Sequence, residues 1–234
     1  MTGIFADLPK GKVLDLGCGS GDYAQRLKES GFEVTASDMD VKRFNYHDTI
    51  EFKESHLDRP LPFGDQSFDH IIFLEVIEHI YNPDFVIREI SRVLKPNGVL
   101  ILSTPNILNI GSRLRFLFEG SFDFFREPIL DYSKIFPMAL QNMHVVAWRY
   151  QELEYLLFKN GISAQAVFTD FMKPALKWFG CIFVPLFKFQ SWQKENRARK
   201  AGGVDFSRIH KILLSKEILY GRHLIIKAIK IDQK

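Results

Sequence analysis

Three short stretches of this 234-residue chain hold the side chains best suited to chemistry. The first is Val-Leu-Asp-Leu-Gly-Cys-Gly-Ser-Gly at positions 13–21, an apolar run carrying Asp15 that ends in glycines 17, 19 and 21. Glycines let a strand turn sharply into a helix and let a ligand lie against bare backbone. The dinucleotide fingerprint leaves two residues between its second and third glycines to seat a pyrophosphate on a helix N-terminus. Here only Ser20 separates Gly19 from Gly21, so the loop suits a ligand without phosphates and disfavours a nicotinamide-dependent dehydrogenase. The second feature is Asp38, about 20 residues on, where a carboxylate can accept hydrogen bonds from ribose hydroxyls. A tight turn without a ligand and a capping Asp38 are the plain structural alternatives. The third is Leu-Glu-Val-Ile-Glu-His at 74–79. If it turns helical, Glu75, Glu78 and His79 share a face, a mixed carboxylate and imidazole set. Such a set suits Mg²⁺, Mn²⁺ or Zn²⁺, which can lower the pKa of a bound hydroxyl. Alternatively, Glu78 and His79 cap a helix while His144 bonds Glu78 or acts alone as a base.

These stretches need a scaffold, and the hydropathy pattern supplies one. Apolar runs at 12–16, 33–37, 50–53, 70–74 and 98–103 alternate with helix-like segments at 23–29 and 83–94, the pattern of a doubly wound parallel α/β sheet. Gly31 stops the first helix, and the second opens on Pro83 and ends before Pro96 and Gly98. A third helix at 151–158 ends at Asn160-Gly161 and leads into a strand at 162–168; the last strand is expected at 223–229. With 46% hydrophobic and 25% charged residues, the chain fits one domain over 1–234. Two stretches break the alternation and read as accessory insertions, at about 108–142 and 171–215.

Together these residues resemble the class I S-adenosylmethionine-dependent methyltransferases, in particular the broad type 11 group with its quinone-pathway O-methyltransferases. The resemblance rests on Val13–Gly21, Asp38, Leu57-Asp58 with Pro60-Leu61-Pro62-Phe63, Ser67-Phe68-Asp69, Glu75 through His79, and Leu94-Lys95-Pro96-Asn97-Gly98. It implies a Rossmann-like seven-stranded sheet, mostly parallel with an antiparallel last strand, and S-adenosylmethionine as cofactor. Gly17, Cys18 and Gly19 would then line the methionine and ribose, with Asp15 supporting the turn. Asp38 would hold the ribose hydroxyls and Met39 pack on the adenine. Asp58 would accept from the adenine amino group beside Leu57, and the backbone near Leu74 and Glu75 would meet the methionine amino group. The Glu-x-x-Glu-His string is similar to that of small-RNA 2′-O-methyltransferases and certain quinone-pathway enzymes, where it accompanies a divalent ion. Catalysis would fall to Glu78, His79 and His144, and a metal to Glu75, Glu78, His79 and His144.

What the acceptor is depends on the insertions. Residues 114–125 are rich in phenylalanine and suit either a water-excluding lid and acceptor pocket or an accessory core. Residues 171–200 carry Lys173, Lys177, Lys188, Lys194, Arg197, Arg199 and Lys200 against Glu195 alone, although the whole chain is only +3. Within them the uncharged run 178–187 is too short to span a bilayer, and Pro174 and Pro185 should interrupt a helix. The composition fits peripheral contact with anionic lipid, or equally a buried hairpin or dimer surface with a solvated basic edge. We therefore expect an O-methyltransferase of a small-molecule, lipid-linked or saccharide hydroxyl. It should be cytoplasmic, with no secretory signal, and its composition is compatible with peripheral contact on the inner face of the membrane. An RNA 2′-O-methyltransferase and a non-catalytic cofactor-binding subunit are the alternatives; nucleic acid is disfavoured by the small net charge.

Overall fold

The computed structural model describes residues 4–5, 8–125, 144–200 and 206–231. Its elements run β1 (Lys12–Leu16), α1 (Asp22–Glu29), β2 (Glu33–Asp38), β3 (Glu51–Glu54), β4 (Phe68–Leu74), α2 (Pro83–Val93) and β5 (Leu94–Pro105). There follow α3 (Ile110–Glu119), α4 (Tyr150–Lys159), β6 (Ile162–Phe168), α5 (Leu176–Lys200), α6 (Ser207–Leu213), α7 (Lys216–Tyr220) and β7 (His223–Lys230). The expected strands and crossover helices are all present, their ends displaced by a few residues. Part of the first insertion, 126–143, and residues 201–205 of the second lie outside the described residues.

Seven strands form one sheet in the order β3-β2-β1-β4-β5-β7-β6, parallel from β3 to β5, with β7 antiparallel to both its neighbours. The fold is thus the expected Rossmann-like α/β sheet. Strands covered on both faces must be apolar throughout. Accordingly Val13, Leu14 and Leu16 of β1, Ile71, Ile72 and Phe73 of β4, and Leu100, Ile101 and Leu102 of β5 are fully buried. Because β1 sits between β2 and β4, the order in which strands are added reverses across it, the switch point at whose carboxyl end α/β sheets bind ligands.

β5 starts four residues earlier than expected. A register shift between Phe68 and His70 lets Leu94 pair with Phe68 ahead of the regular ladder, and Asn97 absorbs the irregularity at φ 61°. The Pro-Leu-Pro-Phe motif has a structural duty: Leu61 N–H donates to the Glu89 carboxylate at 2.9 Å, while Arg92 donates to the carbonyls of Phe63 and Leu61.

The chain divides into two compact units, residues 1–104, 154–166 and 225–234 in the first and 105–153 and 167–224 in the second. The second takes in both stretches outside the alternation. Its hub is Asn106, 1% exposed, whose Nδ2 donates to the carbonyls of Ile218 at 2.9 Å and Gly221 at 3.0 Å while its Oδ1 accepts from Leu108 N–H. One amide side chain thereby ties the start of α3 to the end of α7. Pro185 does not interrupt α5, contrary to expectation: the helix runs from Leu176 through Lys200. An interior proline costs about 3 kcal/mol. Here Gly180 on one side, and Phe183 and Phe187 beside it, anchor the helix against the unit. Pro174 lies just before the first turn, where its missing N–H is harmless.

Replacing Asn106 with Ala leaves several buried carbonyls without their donor. We expect a loss of about 3 kcal/mol of stability, read as a lowered urea midpoint.

Candidate functional site

The carboxyl ends of β1, β2 and β4 meet within the first unit. β1 leads into a loop whose glycines 17, 19 and 21 take φ of 73°, 55° and 86°. A Cβ on Gly17 would stand 2.6 Å from Val76, so both its backbone angle and its neighbour demand glycine. The N–H groups of Gly17 and Cys18 both donate to the Ser37 carbonyl, at 2.7 and 3.1 Å, and Gly19 N–H donates to Asp38 Oδ2 at 2.8 Å. The loop is therefore strapped to the end of β2. Asp38 also accepts from Asp40 N–H through Oδ1, at 3.0 Å.

Asp15 is buried beneath this loop. Its Oδ2 has no hydrogen-bond partner among the described residues. Burial pushes its carboxyl up to about 7, a rise that the backbone of Ala24 partly offsets and the nearby Asp38 reinforces. Cys18 is likewise raised, by burial first and then by the carboxylates of Asp15 and Asp38, so its thiol is not a nucleophile at neutral pH. Met39 is exposed and Leu57 half-buried. Asp58 is exposed, 3.8 Å from Arg59.

At the end of β4, Glu75 adopts φ 55°, a conformation uncommon for a side chain with a Cβ. It is held there by its N–H on the Ser103 carbonyl at 3.1 Å and by the Ser103 hydroxyl on its own Oε1 at 2.6 Å. The following residues form a single tight 3₁₀ turn, Ile77–His79. Glu78 is fully buried, and Thr104 Oγ1 donates to its Oε2 at 3.1 Å. Burial, and then the neighbouring Glu75 carboxylate, lift the Glu78 carboxyl to about 8. His79 is half-buried. His144 belongs to the second unit, its Nδ1 3.0 Å from the Phe124 carbonyl and its ring 5.2 Å from Phe125.

The described part of the phenylalanine-rich segment also lies in the second unit. Phe116 stacks on Phe122 at 4.5 Å, and the Phe124 ring is flanked by Arg222 at 5.3 Å and Lys173 at 5.8 Å.

A family model described as a methyltransferase domain matches residues 14–102, which include the glycine loop, Asp38, Asp58 and Glu75 to His79. Residues 14–102 thus carry a class I methyltransferase domain. The chain is 35% identical over 108 residues to a ubiquinone biosynthesis O-methyltransferase of Rickettsia typhi, covering 44% of each chain. It is 31% identical over 102 residues to the protein of that name from Caulobacter vibrioides, covering 40% of each. The matched region thus spans less than half the length of these relatives. Among solved structures, a methyltransferase from Methanosarcina mazei superposes with a TM-score of 0.58 at 20% identity, over 99% of this chain and 98% of that one. An S-adenosylmethionine-dependent methyltransferase from Mesorhizobium loti gives 0.55 at 16% identity, over 97% and 96%. At such identities the likeness concerns the fold.

The methyltransferase domain fits S-adenosylmethionine by its own chemistry. The loop presents bare backbone at Gly19, where an added Cβ would meet the Arg43 guanidinium at an ordinary 3.5 Å, and the Asp38 carboxylate is fixed beside it. A buried Asp15 oxygen without a partner lies below. Sequence reasoning missed Ser103 and Thr104, the polar pair that ends the apolar strand β5 and positions Glu75 and Glu78; polar residues closing such a run were the available signal. It also missed Arg43, whose guanidinium lies 3.5 Å from where a Gly19 Cβ would stand.

The raised Asp15 carboxyl gives a signed pH prediction. Between its ordinary value of 3.8 and about 7, the folded chain holds a proton that the unfolded chain has released. Stability attributable to Asp15 therefore falls as pH rises through that window and levels off above it, by roughly 1.4 kcal/mol per unit. We expect Asp15→Asn to gain on the native chain from pH 4 to pH 7, measured by urea unfolding at each pH.

Proposed function

We propose that the chain transfers a methyl group from S-adenosylmethionine to a hydroxyl of a small-molecule, lipid-linked or saccharide acceptor. The observation that carries this reading is the loop strapped between β1 and β2, with Asp38 fixed beside it and the strained Glu75 at the end of β4. These suit a nucleoside that also bears an amino acid. That the relatives are named as ubiquinone biosynthesis O-methyltransferases supports oxygen as the accepting atom.

S-adenosylmethionine, when bound, supplies a methyl already activated by its sulfonium. Gly17, Cys18, Gly19 and Asp38 would hold its ribose and methionine, with Asp15 below, Leu57, Asp58 and Met39 around the adenine, and the Glu75 backbone at the amino group. The protein's main contribution is alignment, which removes the entropy of bringing acceptor and methyl together. His79 and His144 are our candidates to take the acceptor's proton as its oxygen is methylated. Glu78, kept neutral at pH 7 by burial, acts as a positioning residue through Thr104. Glu75, Glu78 and His79 also offer carboxylate and imidazole donors of the kind that bind a divalent ion.

Four measurements test the proposal. Isothermal titration should show binding of S-adenosylmethionine but not of NAD, and Asp38→Ala should weaken that binding about tenfold, the loss of roughly one charged hydrogen bond. Labelled methyl offered with cell extract should enter the lipid or small-molecule fraction; label confined to RNA, or in no fraction, overturns the reading. His79→Ala should lower kcat by about a hundredfold while leaving cofactor affinity unchanged. Full activity after exhaustive chelation would remove the divalent ion from the proposal.

A further inference from the structure

The second unit carries an exposed apolar face that methyl transfer does not explain. α5 packs inward through Gly180, where an added Cβ would lie 2.2 Å from the Tyr220 hydroxyl, and through Phe183 and Phe187, which line a groove with Ile110 and Leu114 of α3. Arg113 lies 4.8 Å from the Phe187 ring and closes that contact. On the opposite side Trp178, Ile182, Leu186, Phe189 and Trp192 succeed one another at intervals of four, four, three and three. At 3.6 residues per turn these form one stripe. They are 83%, 64%, 53%, 55% and 58% exposed. Large contiguous apolar patches on a soluble surface mark an interface.

Charge identifies the occupant. Lys177 and Lys188, three turns apart, flank the stripe, and Lys194 and Arg197 follow, all exposed. The only acidic residue of α5, Glu195, accepts from or pairs with His210 at 2.8 Å. A second copy docked on this face would bring like charges together, which opposes self-pairing. No helix among the described residues is long and apolar enough to cross a membrane. At about 1.5 Å per residue the two tryptophans stand about 21 Å apart along α5. Laid flat, they suit the headgroup layer at both ends of the stripe, with lysines reaching anionic heads.

We propose that α5 seats the second unit on an anionic lipid surface through Trp178, Ile182, Leu186, Phe189 and Trp192. The seat concerns binding alone. That it serves a lipid-linked acceptor rests on the methyltransferase reading above.

The test is flotation of the full chain with vesicles of phosphatidylcholine, alone or mixed with phosphatidylglycerol. We expect binding at least tenfold tighter to the anionic vesicles, since each nearby cation contributes about 1 kcal/mol. The double variant Trp178→Ser, Trp192→Ser should lose at least tenfold in binding, and Lys177→Gln with Lys188→Gln should lose the preference for anionic lipid. Both pairs are surface positions, and an unchanged thermal midpoint verifies folding. The absence of vesicle binding overturns the seat, as does equal binding by the serine variant. A native dimer that the serine variant makes monomeric, without vesicle binding, assigns the face to a second copy instead. Vesicle binding without any methyl transfer upholds the seat and counts against the proposed function alone.

Discussion

The candidate cofactor site depends on one double hydrogen bond, the Ser37 carbonyl accepting from both Gly17 and Cys18. It fastens the loop after β1 to the last turn of β2, and the Asp38 carboxylate then takes the next amide of the loop. Everything attributed to cofactor recognition inherits its position from this strap. The parallel register of β1 and β2, which sets Leu16 beside Ser37, is what brings carbonyl and amides within reach. Sheet register and recognition are thus a single constraint.

The other half of the site is built from carboxyl groups that water would ordinarily solvate. Asp15 and Glu78 are buried, and burial holds each toward its protonated form. A fold tolerates such costs where a later ligand repays them. Glu75 adds a backbone in the left-handed region, kept there by Ser103 from the neighbouring strand.

Much of this was legible in the sequence because local chemistry and global fold agree. The apolar run 13–16, the glycines after it and Asp38 each obey short-range rules, and the structure sets them side by side at the ends of adjacent strands. The long-range partners were harder to read. Ser103 and Thr104 stand more than twenty-five residues from the glutamates they hold, and only β4–β5 pairing brings them together. Pro185 misled for the opposite reason: a local rule against helix was overridden by packing on either side of the proline. The early start of β5 followed from a register shift that no pattern of hydropathy records.

The strapped loop has a further consequence for selectivity in a crowded cell. Gly17, Cys18 and Gly19 spend their amides on Ser37 and Asp38, and Gly21 donates to the Cys18 carbonyl at 2.9 Å. A phosphate cradle works by leaving such donors free. Here four of them are already satisfied, and a carboxylate guards the rim. Abundant nucleotides such as ATP share the adenosine but would bring their phosphates to a surface with those donors spent and a negative charge waiting. A loop whose donors are already bonded in this way offers little to a phosphate.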